Sequence, residues 1–132
     1  MEKEYRKYIL DASALLCLFQ KEKGYEQIVK YLPNAVISSV NIAEVYKYCF
    51  TKQALTVEET KKLVAISGIE VLNFNHEQAV ISGDIYTDCK EYGLSLADRA
   101  CLSFGIATGY PVVTCDRVWS KLKLDIKVIQ LR

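Results

Sequence analysis

The stretch "YILDASALL", residues Tyr8–Leu16, places one aspartate, Asp11, between two apolar runs. Burying an unpaired carboxylate costs several kcal/mol or drives its pKa up until the group is neutral. Asp11 therefore stands either at the mouth of a strand, where the chain turns, or opposite something positive. The neighbouring segments bear on both. "RKYIL" before it reads as a short buried strand, and "ASALLCLFQ" after it carries helical spacing.

The same alternation continues outward. "GYEQIVKYL" is a second helix, "AVIS" a second short strand, and "SVNIAEVYKYCF" a helix capped by Ser38 or Ser39. Thr56 with Glu59 three residues on predicts a capping box at the start of "TVEETKKLVAI". "IEVLNF" is a third strand. "HEQAVISGDIYTDCKEY" reads as one long helix stopped by Gly93, and "SLADRACLSFGIATG" as a helix capped by Ser95 and stopped by Gly109. "YPVVTC" and "IKVIQL" are the fourth and fifth strands, with a short helix, "DRVWSKL", between them. Short apolar strands alternating with helices need crossover connections, which build an α/β fold with a parallel sheet covered on both faces. Sites in such sheets form at the carboxyl ends of the strands. Asp11 falls there directly after Tyr8-Ile9-Leu10, and Asp116 after Pro111-Val112-Val113-Thr114.

With 132 residues, 51% apolar and 25% charged, the chain has the length and balance of a single globular domain over residues 1–132. Its longest apolar run, Ala14–Phe19, is far short of the ~20 residues of a spanning helix. The charged start "MEKEYRKY" lacks the apolar stretch of a secretory signal, so a cytoplasmic protein is expected. The five cysteines (Cys17, Cys49, Cys89, Cys101, Cys115) include no C-x-x-C pair and read as reduced packing side chains. The net charge is +1, so gathering several acids in one pocket leaves a basic surface elsewhere, compatible with a polyanionic partner.

Four acids stand among apolar neighbours: Asp11 and Asp116 at strand ends, Glu44 between Val40 and Tyr48 on one helix face, and Asp98 one turn before Cys101 and Leu102. Each has a separate structural explanation. Asp98 suits a helix first turn, Asp11 and Asp116 suit turn caps, and Glu44 suits a salt bridge. Together, with two at the functional edge of a parallel sheet, they point to one cluster. Converging carboxylates repel, and a divalent cation removes the repulsion. All-oxygen ligands suit Mg²⁺ or Mn²⁺. The one histidine, His76, starts a helix outside any ligand-spaced motif, which disfavours Zn²⁺.

With those residues in place, the chain resembles the PIN-domain family and, within it, the VapC-type toxins of type II toxin–antitoxin pairs. The matching stretches are "YILDASALL", "ISSVNIAEVYKY" and "LSLADRACLSFGIATGYPVVTCDRVWSKL". The resemblance implies a three-layer PIN-like domain with a parallel sheet of about five strands flanked by helices. It implies that Asp11, Glu44, Asp98 and Asp116 are the acidic quartet binding Mg²⁺ or Mn²⁺. Ser13 and Thr114 match positions where hydroxyls support that site. It further implies ribonuclease activity on an RNA substrate, a homodimer, and inhibition by a cognate antitoxin.

On this reading Asp11 and Asp98 are the main ligands. Glu44 and Asp116 bind through water, hold a second ion, or orient the attacking water. Arg99 and Arg117 directly follow site aspartates and are expected to reach RNA phosphates, while Lys121 and Lys123 serve equally as solvated surface charge. Trp119 reads as core or dimer packing. Tyr46, Tyr48 and Phe50, on the helix of Glu44, could line a groove for an antitoxin helix or a second subunit. A receiver domain would show an acidic pair after the first strand and an aspartate after the third; "VLNFNH" has none. A haloacid-dehalogenase-type phosphatase would carry an aspartate at position 13, where this chain has Ser13. A non-catalytic RNA- or protein-binding domain on the same fold is the remaining alternative.

Overall fold

Strand β1 (Tyr8–Leu10) enters a five-stranded sheet between β2 (Ala35–Ser38) and β4 (Val112–Thr114), with β3 (Glu70–Leu72) and β5 (Val128–Gln130) at the edges. A computed structural model describes residues 5–132. All four pairings are parallel, with Ile9 opposite both Val36 and Val112 and Leu10 opposite Val113. The order β3-β2-β1-β4-β5 reverses direction at β1. Between the ends of β1 and β4 the chain therefore leaves a crevice, the place where doubly wound sheets build their sites.

The helices are α1 (Ala12–Gln20), α2 (Tyr25–Tyr31), α3 (Ser39–Thr51), α4 (Val57–Ser67), α5 (His76–Asp84), α6 (Tyr86–Lys90) and α7 (Leu96–Thr108). Alternate strand residues divide the interior into two cores, because side chains on a strand point to opposite faces. Leu10, Ile37 and Val113 pack with Leu15 of α1, Ile28 of α2 and Val45 of α3. Ile9, Val36 and Val112 pack on the other face with Cys89 of α6, Leu102 and Phe104 of α7, and Trp119. The result is the expected three-layer α/β fold, with Trp119 in the core at 1% exposure.

The local signals hold at most ends. Ser38 caps α3 and accepts from the Val40 amide. Thr56 and Glu59 form the expected capping box on α4. Gly109, at φ 79°, closes α7 in the left-handed conformation that a side chain would strain.

The expected long helix from His76 to Tyr92 is two helices instead, interrupted at Ile85. Gly83 and Asp84, poor helix formers, precede the break. Ile85, 5% exposed, joins the second core there. The segment expected as a short helix over "DRVWSKL" is a 3-10 turn, Arg117–Lys121. Among the described residues, no helix is long and apolar enough to cross a membrane.

Candidate functional site

Two elements hold Asp11. As N-cap of α1 it keeps an extended backbone, and its Oδ1 accepts from the Ala14 amide at 2.8 Å and the Ser13 hydroxyl at 2.7 Å. Its Oδ2 accepts from the Thr114 hydroxyl at 2.6 Å, at the end of β4. The residue is 5% exposed. Burial outweighs these hydrogen bonds, which favour the anion, and pushes the carboxyl up to about 6. Thr114 Oγ1 also accepts from the Asp116 amide at 3.0 Å, and Ser13 Oγ from the Cys115 amide at 3.1 Å. The two hydroxyls thus join the ends of β1 and β4.

The other acids come from three further segments. Asp116 is half-buried and caps the 3-10 turn, its Oδ1 accepting from the Val118 amide at 3.0 Å. Asp98 closes a capping box on α7: its amide donates to Ser95 Oγ at 3.2 Å, and its Oδ2 accepts from the Ser95 amide at 2.9 Å. Glu44 is exposed on α3, with its Oε1 3.5 Å from Asn41 Nδ2. Partial burial, with the Asp98 charge adding to it, raises the Glu44 pKa.

All four acids line one cavity of about 470 Å³. Asp98 acts electrostatically on both Asp11 and Glu44, so three like charges share one neighbourhood. Among the described residues no three His, Cys, Asp or Glu side chains stand in a ready metal-binding group. The four acids are spread around the cavity wall rather than gathered in one group of three. Their donor set is all oxygen. Asn41 Oδ1, buried and without a hydrogen-bond partner among the described residues, belongs to a side chain on the same wall. This set fits a hard divalent cation that keeps several waters and so bridges longer gaps.

The two arginines expected at phosphates lie elsewhere. Arg99 Nη1 donates to the Ser82 carbonyl at 2.9 Å, and its guanidinium stacks 5.1 Å from the Tyr86 ring, on the α5–α6 side. Arg117 Nε donates to the Arg132 carbonyl at 3.3 Å. Neither lines the cavity. Successive residues on a helix do not share a face, so a place next to a site aspartate in sequence carries the side chain away from it. Lys47 of α3 and Lys52, just beyond its end, line the cavity instead. Sequence reasoning passed over Lys47, although its spacing of three residues from Glu44 puts both on one helix face. Tyr48 also lines the cavity, and its hydroxyl donates to Gln20 Oε1 at 3.3 Å. Tyr46 packs against the first core and Phe50 stacks on it at 5.7 Å.

Outside the cavity lie His76 and the five cysteines. His76 is exposed at the start of α5, behind its cap Asn75. All five cysteines are free. Burial raises the pKa of each, that of Cys115 to about 12, so they stay protonated packing groups.

Solved structures share this fold. VapBC2 of Rickettsia felis, bound to a DNA fragment from its promoter, is similar with a TM-score of 0.73 and 19% identity, covering 95% of this chain and 98% of that one. VapBC-1 of nontypeable Haemophilus influenzae gives 0.72 and 19%, covering 94% and 97%. VapC20 of Mycobacterium tuberculosis, described as a sarcin–ricin loop cleaving toxin, gives 0.66 and 10%, covering 92% and 99%. Comparison with curated protein sequences gives no match. The profile of the PIN domain, however, matches residues 8–124, from the first residue of β1 to beyond the last of the four acids, and the chain belongs to the PIN-domain family, whose members include nucleases.

Proposed function

We propose that this chain is the toxin of a type II toxin–antitoxin pair, a Mg²⁺- or Mn²⁺-dependent endoribonuclease that hydrolyses RNA phosphodiester bonds and is inhibited by its antitoxin. One observation carries the reading: acids from four separate segments, Asp11, Glu44, Asp98 and Asp116, line one cavity at the edge where the sheet reverses its strand order. The likeness in fold to VapBC proteins supports a cognate antitoxin as partner; on this reading the toxin is cytoplasmic and homodimeric.

Asp11 and Asp98 would hold the cation, with Glu44 and Asp116 binding its waters or a second ion. When bound, it neutralises the carboxylates, acidifies water and offsets charge on the phosphoryl oxygens. The chain itself supplies orientation. Ser13 and Thr114 donate to the two oxygens of Asp11 and keep them in place, as groups behind a ligand do. Glu44, exposed in the cavity, orients the attacking water through its carboxylate. Lys47 and Lys52, on the α3 wall, meet the RNA phosphates.

A second reading has its own observation. Asp11 and Asp116 cap a helix and a turn, and Asp98 completes the capping box begun by Ser95, structural uses that an acid can have in a non-catalytic binding domain. Incubating cellular RNA with the purified chain separates the two, with Mg²⁺, Mn²⁺ or chelator and with Asp11→Asn in parallel. Discrete metal-dependent products that vanish in the variant support the nuclease. Cation binding and RNA binding without cleavage support the binding domain.

A further inference from the structure

Asn41 is 1% exposed, on the first turn of α3, among the residues lining the acid cavity. A buried amide carries two donors and an acceptor, and each left unmatched costs about 1–3 kcal/mol. Its Nδ2 is matched twice. It donates to the Ala97 carbonyl at 3.0 Å and lies 3.5 Å from Glu44 Oε1. One amide group thus touches both helices that carry cavity acids: Glu44 one turn further along α3, and Asp98 directly after Ala97 on α7. Its Oδ1 has no partner among the described residues.

Turning the amide over does not cure this. It would set Oδ1 against the Ala97 carbonyl, acceptor against acceptor. The orientation is therefore dictated by Ala97, and Oδ1 is left as a buried acceptor beside four carboxylates that can donate nothing while ionised. A water reaching Asn41 from the cavity that this residue lines would supply the missing donor.

We propose that Asn41 is a positioning residue of the cation site: its Nδ2 ties Glu44 to the start of α7, and its Oδ1 accepts a hydrogen bond from a water carried by the divalent cation. The inference rests on the cation-binding reading above and adds a neutral fifth participant to the four acids. Such a group contributes to affinity without adding charge, which is its use where three like charges already act on one another.

The test is a titration of the full chain, stripped of metal, with MnCl₂ by calorimetry, together with melting temperatures with and without Mn²⁺. Asn41→Leu keeps the size and removes every polar contact. The substitution leaves the Ala97 carbonyl without this donor, so the metal-free melting temperature should fall modestly, and the Mn²⁺ affinity of the folded variant is the deciding readout. The Mn²⁺ affinity should fall about 10–100-fold, the usual effect of losing a group behind the ligands. Asn41→Asp keeps an oxygen at the same place and loses the donor to Ala97. Its metal-free melting temperature should drop, and saturating Mn²⁺ should raise it by more than it raises that of the wild type.

A purely structural Asn41 gives the opposite pattern. Asn41→Leu would then bind Mn²⁺ with wild-type affinity, or Asn41→Asp would be destabilised equally with and without the ion, and either result overturns the proposal. If Asn41→Leu does not fold, the Asn41→Asp pair of melting temperatures decides alone. Failure of the wild-type chain to bind Mn²⁺ would overturn the cation reading itself, and this inference with it.

Discussion

The ends of β1 and β4 look alike in sequence and differ in the folded chain. Each is an apolar strand closed by an aspartate that caps the next element. Asp11, at the end of the central strand, is 5% exposed and takes hydrogen bonds on both oxygens from three donors. Asp116, at the end of β4, is half-buried and takes one from the turn it caps. The difference is a matter of depth. Both strands are interior, β1 between β2 and β4 and β4 between β1 and β5, but Asp11 follows β1 directly, whereas Asp116 stands two residues beyond the end of β4. One carboxylate is thus immobilised in a place that resists its charge, and the other is held loosely beside it.

The strongest test breaks this contrast at the buried end. Asp11→Ala strands the Ala14 amide and the Thr114 and Ser13 hydroxyls. A lost cap and orphaned buried donors together should cost roughly 2–4 kcal/mol. Asp116→Ala should cost about 1 kcal/mol or less, because a half-buried turn can use water. Urea unfolding measures both, and equal losses would erase the distinction. On the proposed function, RNA cleavage should fall to background in Asp11→Asn.

A pH series sharpens the same contrast. Asp11 titrates near 6 in the folded, metal-free chain and about two units lower when unfolded. Between those values the folded state binds more protons than the unfolded state. The contribution is therefore complete below about pH 4 and is lost as pH rises through about 6, roughly 3 kcal/mol in all. Glu44, whose pKa is also raised, acts in the same direction. The gap in unfolding free energy between wild type and Asp11→Asn should shrink across this window. A gap that stays constant with pH would show that burial does not govern Asp11. A cation held by the deprotonated acids should oppose the loss, since it binds the folded, ionised form.

Thr114→Val probes the link between the two ends. The hydroxyl donates to Asp11 and accepts from the Asp116 amide. Its removal should cost about 1–3 kcal/mol and raise the Asp11 pKa further, moving the acid side of the cleavage profile to higher pH. An unmoved profile with lost stability would confine Thr114 to a structural part. The smallest effects are expected at the basic residues. Lys47→Ala should weaken RNA binding several-fold and reduce the salt slope by about 1. Arg117→Ala should leave the slope unchanged, since that side chain reaches the Arg132 carbonyl outside the cavity.

These residues also mark where sequence reading works. Strand ends, helix caps and the four acids were legible because each is a local pattern: an apolar run, a Ser or Thr with an acid three residues on, a carboxylate on an apolar face. The break at Ile85 was not, because helical spacing runs through it and the pull on Ile85 comes from the second core. Arg99 and Arg117, neighbours of site aspartates in sequence, lie outside the cavity lining, because on a helix adjacent residues do not share a face. Asn41 carried no sequence signal beyond its place one turn before Glu44.

By itself, then, the sequence determined the order of strands and helices, the parallel sheet that order requires, and the burial of Asp11 at a strand end, while Glu44, expected among apolar neighbours, is exposed. These follow from spacing within a few residues, where periodicity and capping act. Only the tertiary structure decided that the four acids share a cavity, that the Thr114 hydroxyl meets Asp11 across 103 residues of chain, and that Lys47 and Lys52 rather than the neighbouring arginines line it. Those contacts join segments brought together by crossovers and packed cores, and the direction in which a side chain meets another segment is fixed only when those cores close.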